Sequence, residues 1–497
     1  MLQFWRNPEF VRHLRAELRP ARLVSAVAIT YIVIALIGMA VFNRQDPARE
    51  LYRTFYGFIA IVAPALLVLW CLSVGSQAVA SERELKTFDF LRTTRLSAGE
   101  LLVGKLLGAP ILAYVIYGCA LVVIIPVGVA AGFSPGGILL TNLLSVCLAL
   151  LLGLVGIWVS MLVEKMNRGA GVLLLFFLWP FMAMGMTPGR PGYLPGFDCL
   201  SPLPAVMWAH GEHTFFAQAG TVPVFGVHVP YAMVTLALYL SMAAWLVLMI
   251  VRNLKKEMEE IRLLSRWQAI AFAFYINILF YAFLDLREVL KSPDNAMVIT
   301  WMGVVLTGTT TAMVGLATLS PPERLKIWTR RREAREEGYL SEDGLPWPWM
   351  IVSAAMGFGM LVVQAVALSS TVPAPNFTLT YAGVAVLQLL AFTMRDILFL
   401  QWCKLTRMKS PVRKGVLLLL LYYFAATMVI VVAASVSEKE GLFAARVLTP
   451  MFYFEKKDAA SAAAAMMTAV AVQGAVIAVL LGAIGTRLQR TLALARA

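Results

Sequence analysis

Apolar runs of roughly 18–25 residues recur along this 497-residue chain, separated by short clusters of charge. A helix needs about 20 such residues to cross the ~30 Å hydrocarbon core of a bilayer. The runs fall at 24–42, 55–79, 107–131, 138–163, 169–186, 231–251, 267–286, 296–318, 349–371, 377–400, 415–436 and 462–486. They predict an all-α integral membrane protein of about twelve transmembrane helices, in two six-helix halves, 1–252 and 253–497. Composition agrees: 14% of residues are charged, against about a quarter in a soluble chain.

The charges that remain report orientation. With the N-terminus in the cytoplasm, 32 of the 42 Lys and Arg fall in cytoplasmic segments and 10 outside, counting Arg395 with the cytoplasmic end of the tenth run. Cytoplasmic loops of membrane proteins carry such an excess, so both termini are expected inside a multi-pass cell-membrane protein. The net charge of +14 is therefore a matter of topology and anionic lipid. A nucleic-acid partner is not expected, because the basic residues form no single face.

Few groups suggest chemistry. Five cysteines show no paired spacing and read as small apolar fillers. His210, Glu212, His213 and His228 come nearest to a zinc set, but H-x-E-H is not the H-E-x-x-H spacing of a helical zinc site. Polar residues of an outer segment, 187–230, are the expectation, with no metal and no catalytic residue. Asp285, Arg287 and Glu288 close the seventh run, and Arg395 and Asp396 the tenth. Both groups are expected as interface-level charges rather than intramembrane ones.

Before the first run, Phe10, Val11, Leu14 and Leu18 share one face of a helix, with Arg12, Arg15 and Arg19 on another. This predicts an amphipathic helix lying in the membrane interface, broken from the first span at Pro20.

The segment between the second and third runs, Ser81 to Lys105, is the most informative. Ser81 with Glu84 and Ser97 with Glu100 both match the S-x-x-E capping box. They predict a short helix near 82–92, a turn at 93–96 and a helix entering the third span. Leu85, Phe88 and Leu91 would form an apolar stripe on the first of these. It could bury in a groove on a cytosolic partner or against the chain's own interfacial helix.

The residues Ser81, Glu82, Glu84, Thr87, Phe88, Leu91, Thr94, Leu96, Ser97, Glu100, Gly104 and Lys105 resemble the hallmark segment of ABC-2 type transporter permeases. That pattern runs S-x-E-x-E-x-G-T, then a leucine-rich turn, S-x-x-E and G-K. Lys86 stands where the family has Gly, and Arg95 where it has Pro. The resemblance covers about residues 1–252. It implies that the loop, Arg83 included, is a coupling helix docked on a separate cytosolic ATPase, present in two copies, and that residues 10–19 form the family's elbow helix. ATP and Mg would belong to that partner, since no G-x-x-x-x-G-K-[ST] loop occurs in this chain. Short outer helices would precede the sixth span.

A Leu-Ser-x-x-Glu echo at Leu319-Ser320-Pro321-Pro322-Glu323, followed by Arg324, marks a second docking surface in the loop 319–348, itself expected as a solvated helix. If the second half is a diverged permease half, one chain completes a pathway; if it is an appended bundle, a homodimer is needed. Two other readings remain at this point: an ion-coupled twelve-span transporter, whose G-x-x-x-D-(R/K) loop is missing after the second run, and a polytopic membrane enzyme.

Overall fold

The computed structural model describes residues 7–43, 46–162, 199–200, 221–256, 261–262, 264–283, 293–368, 375–406, 411–450 and 459–494. The fifth expected span, 169–186, and the residues Asp285, Arg287, Glu288, His210, Glu212 and His213 lie outside these. Among the described residues ten helices are long and apolar enough to cross a membrane. Each coincides with an expected run, and the seventh run appears as a helix from Arg266 to Ala282. The protein is a helical, multi-pass membrane protein. It divides into two compact units, Met1–Leu263 and Leu264–Ala497.

The first unit begins with α1 (Pro8–Glu17), α2 (Pro20–Phe42) and α3 (Ala48–Gln77). Asn7 starts α1 by accepting the amides of Glu9 and Phe10 on its Oδ1, with Pro8 in the first turn. Arg19 is extended and Pro20 opens α2, so the chain breaks where the proline predicts. Three short helices follow, α4 (Ala80–Glu84), α5 (Phe88–Thr93) and α6 (Ala98–Val103), then a π-helical turn at Gly104–Gly108, α7 (Ile111–Ala130) and α8 (Pro135–Leu162). Helices α3 and α8 approach most closely: a Cβ on Gly75 would stand 2.6 Å from the Gly153 carbonyl oxygen, and one on Gly156 2.7 Å from that of Leu72. Lipid gives helices no hydrophobic reason to associate, so small residues that admit close backbone packing hold this pair.

One departure from an all-α chain is a hairpin of β1 (Thr221–Val224) and β2 (Val227–Pro230), with Thr221 opposite Pro230 and Val224 opposite Val227. Phe225 and Gly226 between them both have positive φ, 50° and 79°, which a two-residue hairpin turn of the primed type requires. It lies at the end of the outer segment 187–230 and leads into α9 (Tyr231–Asn253); the outer helices expected over Pro188–Pro204 fall outside the described residues apart from 199–200.

The second unit contains α10 (Arg266–Ala282), α11 (Pro293–Ala317), α12 (Pro322–Glu333), α13 (Trp347–Leu368), α14 (Pro375–Lys404), α15 (Pro411–Val436), α16 (Glu438–Leu448) and α17 (Ala459–Leu494). Its inner cluster joins Leu325 and Trp328 of α12 to Leu398 of α14 and to Ile477 and Ile484 of α17.

Candidate functional site: the loop from Ser81 to Lys105

Ser97 and Glu100 form the expected capping box. Ser97 Oγ accepts the Glu100 amide at 3.2 Å, and the Glu100 carboxylate accepts the Ser97 amide at 2.7 Å. The Ser97 amide and hydroxyl hold the Glu100 carboxyl below its ordinary range, aided by the charge of Lys255. Ser81 and Glu84 form no such box. Ser81 sits inside α4 and donates its hydroxyl to the Gln77 carbonyl at 2.7 Å. Ser160 of α8 takes over the capping, its Oγ accepting the amides of Val79 and Ala80 at 3.0 and 2.9 Å.

The expected helix over 82–92 is broken at Lys86, whose φ is +56°. The Thr87 amide bonds to the Glu82 carbonyl at 2.9 Å and the Lys86 amide to that of Arg83 at 3.1 Å. This is the Schellman ending of a helix, whose left-handed residue is most often Gly. Lys86 thus occupies the site where the resembled pattern has Gly, at the cost of a left-handed conformation. The break also dissolves the expected apolar stripe. Phe88 is buried, with the Arg83 guanidinium 4.9 Å from its ring centre. Leu85 and Phe90 are 73% and 74% exposed. The Leu91 side chain lies outside the described residues.

The root of the loop is rigid. Lys105, 3% exposed, donates to Glu82 Oε1 at 2.5 Å and to the Ala78 carbonyl at 3.0 Å, and stands 3.5 Å from Glu9 Oε1. Arg12 bridges the same two carboxylates, 2.8 Å from Glu9 and 3.2 Å from Glu82, and His13 Nε2 is 3.2 Å from Glu9. Burial alone would raise the Glu9 carboxyl. The His13 hydrogen bond and the charges of Lys105 and Arg12 outweigh it and hold Glu9 below its ordinary value. Gly104 makes room for this: a Cβ there would lie 2.7 Å from Glu9 Cβ and Cγ. Asn7 Nδ2 donates to the Glu100 carbonyl at 2.7 Å. Arg83 donates to the Met161 carbonyl at 2.8 Å, satisfying the end of α8, and Lys255 donates to the Thr94 carbonyl at 3.1 Å. Leu96 is half-buried, and Thr87 Oγ1 donates to the Glu82 carbonyl.

Of the residues expected on the amphipathic helix, Phe10 is buried and Leu14 and Leu18 are half-buried, while Arg12, Arg15 and Arg19 are exposed. Sequence reasoning missed Glu9 and His13, whose signal is the three- and four-residue spacing of Glu9 to Arg12 and to His13.

Residues 17–208 match the family model described as ABC-2 family transporter protein. This stretch is similar to the ABC-2 family of transporter proteins. The match takes in α2 through α8 and the whole Ser81–Lys105 loop; it leaves out nearly all of α1 and the second unit. No curated protein and no solved structure matches the chain.

The remaining expected sites fare differently. Ser320 is 1% exposed. Its hydroxyl accepts from Arg266 at 2.9 Å and its amide donates to Gln401 at 3.0 Å, so it is internal scaffold rather than a docking residue. Glu323 is exposed, and Arg324 is 3.6 Å from Asp343. The loop after α11 is a helix as expected, but with Leu325 and Trp328 packed inward rather than solvated all round. His228, on β2, is exposed opposite Pro223.

Arg395 and Asp396 do not close their span. Helix α14 continues to Lys404, and Arg395 is buried. It reaches Asp396 at 2.6 Å, the hydroxyls of Tyr422 and Tyr423 at 3.0 and 3.1 Å, and Gln473 at 3.0 Å. The pair is held within α14 because α15 and α17 supply these polar partners.

Proposed function

We propose that this chain is the membrane permease of an ATP-driven exporter, coupled through the Ser81–Lys105 loop to a separate cytosolic ATPase present in two copies. The observation that carries the reading is the contrast within that loop. Its root is fixed by the buried Lys105–Glu82–Glu9 ion pairs, while its tip presents Leu85 and Phe90 to solvent. Apolar side chains on a rigid mount suit a partner's groove: they add buried area on docking without loosening the loop. The partner would bind ATP and Mg and, on closing, move the tip. The ion-paired root would pass that motion to α1, α3 and α7.

In this reading both termini face the cytoplasm and residues 10–19 act as the elbow helix at the membrane interface. The second unit contributes either the other half of the pathway or a bundle that leaves a homodimer to complete it. Its loop offers Glu323, Arg324 and the half-exposed Ile327 as a lesser docking rim.

Affinity purification of the full-length chain from its own membranes tests the reading. An ATPase should accompany it and hydrolyse ATP in the complex. Transport that persists with no ATPase bound would overturn it, in favour of an ion-coupled carrier.

A further inference from the structure

The face of α1 turned away from the loop carries a second set of charges. Pro8, Val11, Arg12, Arg15, Ala16 and Arg19 recur at three- and four-residue intervals and line one groove of ≈ 680 Å³. Glu9, Phe10 and His13 occupy the other face, against Gly104 and Gly108. Arg12 is paired with Glu9 and Glu82, whereas Arg15 and Arg19 meet no acidic partner among the described residues. Arg15 and Arg19, four residues apart, thus present two guanidinium groups to the groove that an anion could join. Their planar forks match a phosphate better than a carboxylate-poor protein surface does.

What lies beyond the groove identifies the anion. Arg19 is the last residue before α2, which enters the apolar span at Pro20. Only 11% of the apolar window of α2 is buried, and Val24, Ile29, Ile32 and Leu36 are exposed. A phosphate held by Arg15 and Arg19 would thus stand at the head of an uncovered apolar flank. A free phosphate has no use for that flank, while acyl chains do.

We infer that the groove is a binding site for the phosphate headgroup of an anionic phospholipid, its acyl chains lying along α2. Arg12 belongs to both the groove and the Glu82 ion pair, so an occupied site bears on the loop from Ser81 to Lys105.

Native mass spectrometry of the full-length protein, delipidated in detergent and titrated with phosphatidylglycerol or phosphatidylcholine, tests the inference. The wild type should retain phosphatidylglycerol preferentially, and Arg15→Gln/Arg19→Gln should weaken that retention roughly thirty-fold, about fivefold per arginine. Arg15→Lys/Arg19→Lys should keep most of it, so the result does not depend on the neutral variant folding. Equal retention of the two lipids by the wild type, or unchanged phosphatidylglycerol binding in Arg15→Gln/Arg19→Gln, would overturn the site. Displacement of phosphatidylglycerol by inorganic phosphate would overturn its assignment to lipid.

Discussion

The loops at 81–105 and 319–345 share a Leu-Ser-x-x-Glu string and end a helix in the same way, yet their buried anchors differ: an ion-pair cluster in the first, a single arginine fork in the second. In the first, α4 ends on Lys86; in the second, α12 ends on Arg335, with φ of 60° and the same pair of backbone bonds, Glu336 to Arg331 and Arg335 to Arg332. The first is anchored by side-chain ion pairs, Lys105 and Arg12 against Glu82 and Glu9. The second centres on one buried arginine, Arg266, whose guanidinium reaches the carbonyls of Thr318, Ser341, Gly344 and Leu345 and the hydroxyl of Ser320, while its amide donates to the Glu342 carboxylate and Arg331 pairs with Glu337 nearer the surface. Charges shared between two helices can pass movement from one to the other. The first loop is proposed for the main coupling role because its ion-paired root carries the exposed Leu85 and Phe90.

Removing each anchor should separate the two most widely. Arg266→Ala leaves the Thr318 and Leu345 carbonyls bare and removes one bond each from Ser320, Ser341 and Gly344, which keep other partners; it should cost about 5 kcal/mol or more, at about 1–3 kcal/mol for each bare acceptor and about 1 kcal/mol for each further lost bond, and Arg266→Lys should recover little, since an ammonium cannot span that fork. Lys105→Met leaves Glu82 buried without its nearest cation, for a loss of about 3–5 kcal/mol. Thermal unfolding of the purified variants in detergent reads both, and a larger loss for Lys105→Met would reverse the ranking.

The glycines come next. Gly104→Ala should cost about 1–3 kcal/mol by forcing α1 off its seat, as its Cβ would meet Glu9 at 2.7 Å. Gly344→Ala meets the edge of the Trp328 ring at 3.1 Å and should cost under about 1 kcal/mol, because that contact can relax by a small ring shift.

Acid should weaken the first anchor. Glu9 is held below its ordinary value, so its contribution is fully present above the unfolded carboxyl pKa. It is lost as pH falls through the lower folded value, in the range below about 4. The gap in melting temperature between wild type and Glu9→Gln should be widest near neutral pH and close in acid. A gap independent of pH would show that Glu9 does not act as a carboxylate.

The smallest effect should be a gain. Lys86→Gly and Arg335→Gly each relieve a left-handed non-glycine residue and should add about 0.5–1 kcal/mol. A loss at Lys86 alone would mean that its side chain holds the loop.

Much of this was legible in the sequence because it is local or periodic. The spans follow from run length, the break at Pro20 from its ring, and the Ser97–Glu100 box from spacing. What was not legible depends on neighbours distant in the chain. Ser81 and Glu84 have the right spacing, but α8 supplies Ser160 to cap the amides first. Lys86 conceals a helix end that a glycine would have announced. Ser320 looks like a surface serine until Arg266 and Gln401 close over it. Arg395 reads as the end of a span because a charge in hydrocarbon is costly, and only the tyrosines of α15 and Gln473 of α17 make its depth tolerable.

The coupling role of the first loop is tested most directly at its tip. Leu85→Asp/Phe90→Asp and Glu323→Lys/Arg324→Glu would be placed in the full-length chain and the ATPase retained on purification measured. These side chains are exposed or half-exposed, so melting temperatures should hold. The Leu85/Phe90 variant should lose most of the ATPase and the Glu323/Arg324 variant little. Full retention by the Leu85/Phe90 variant, with loss from the other, would contradict the account.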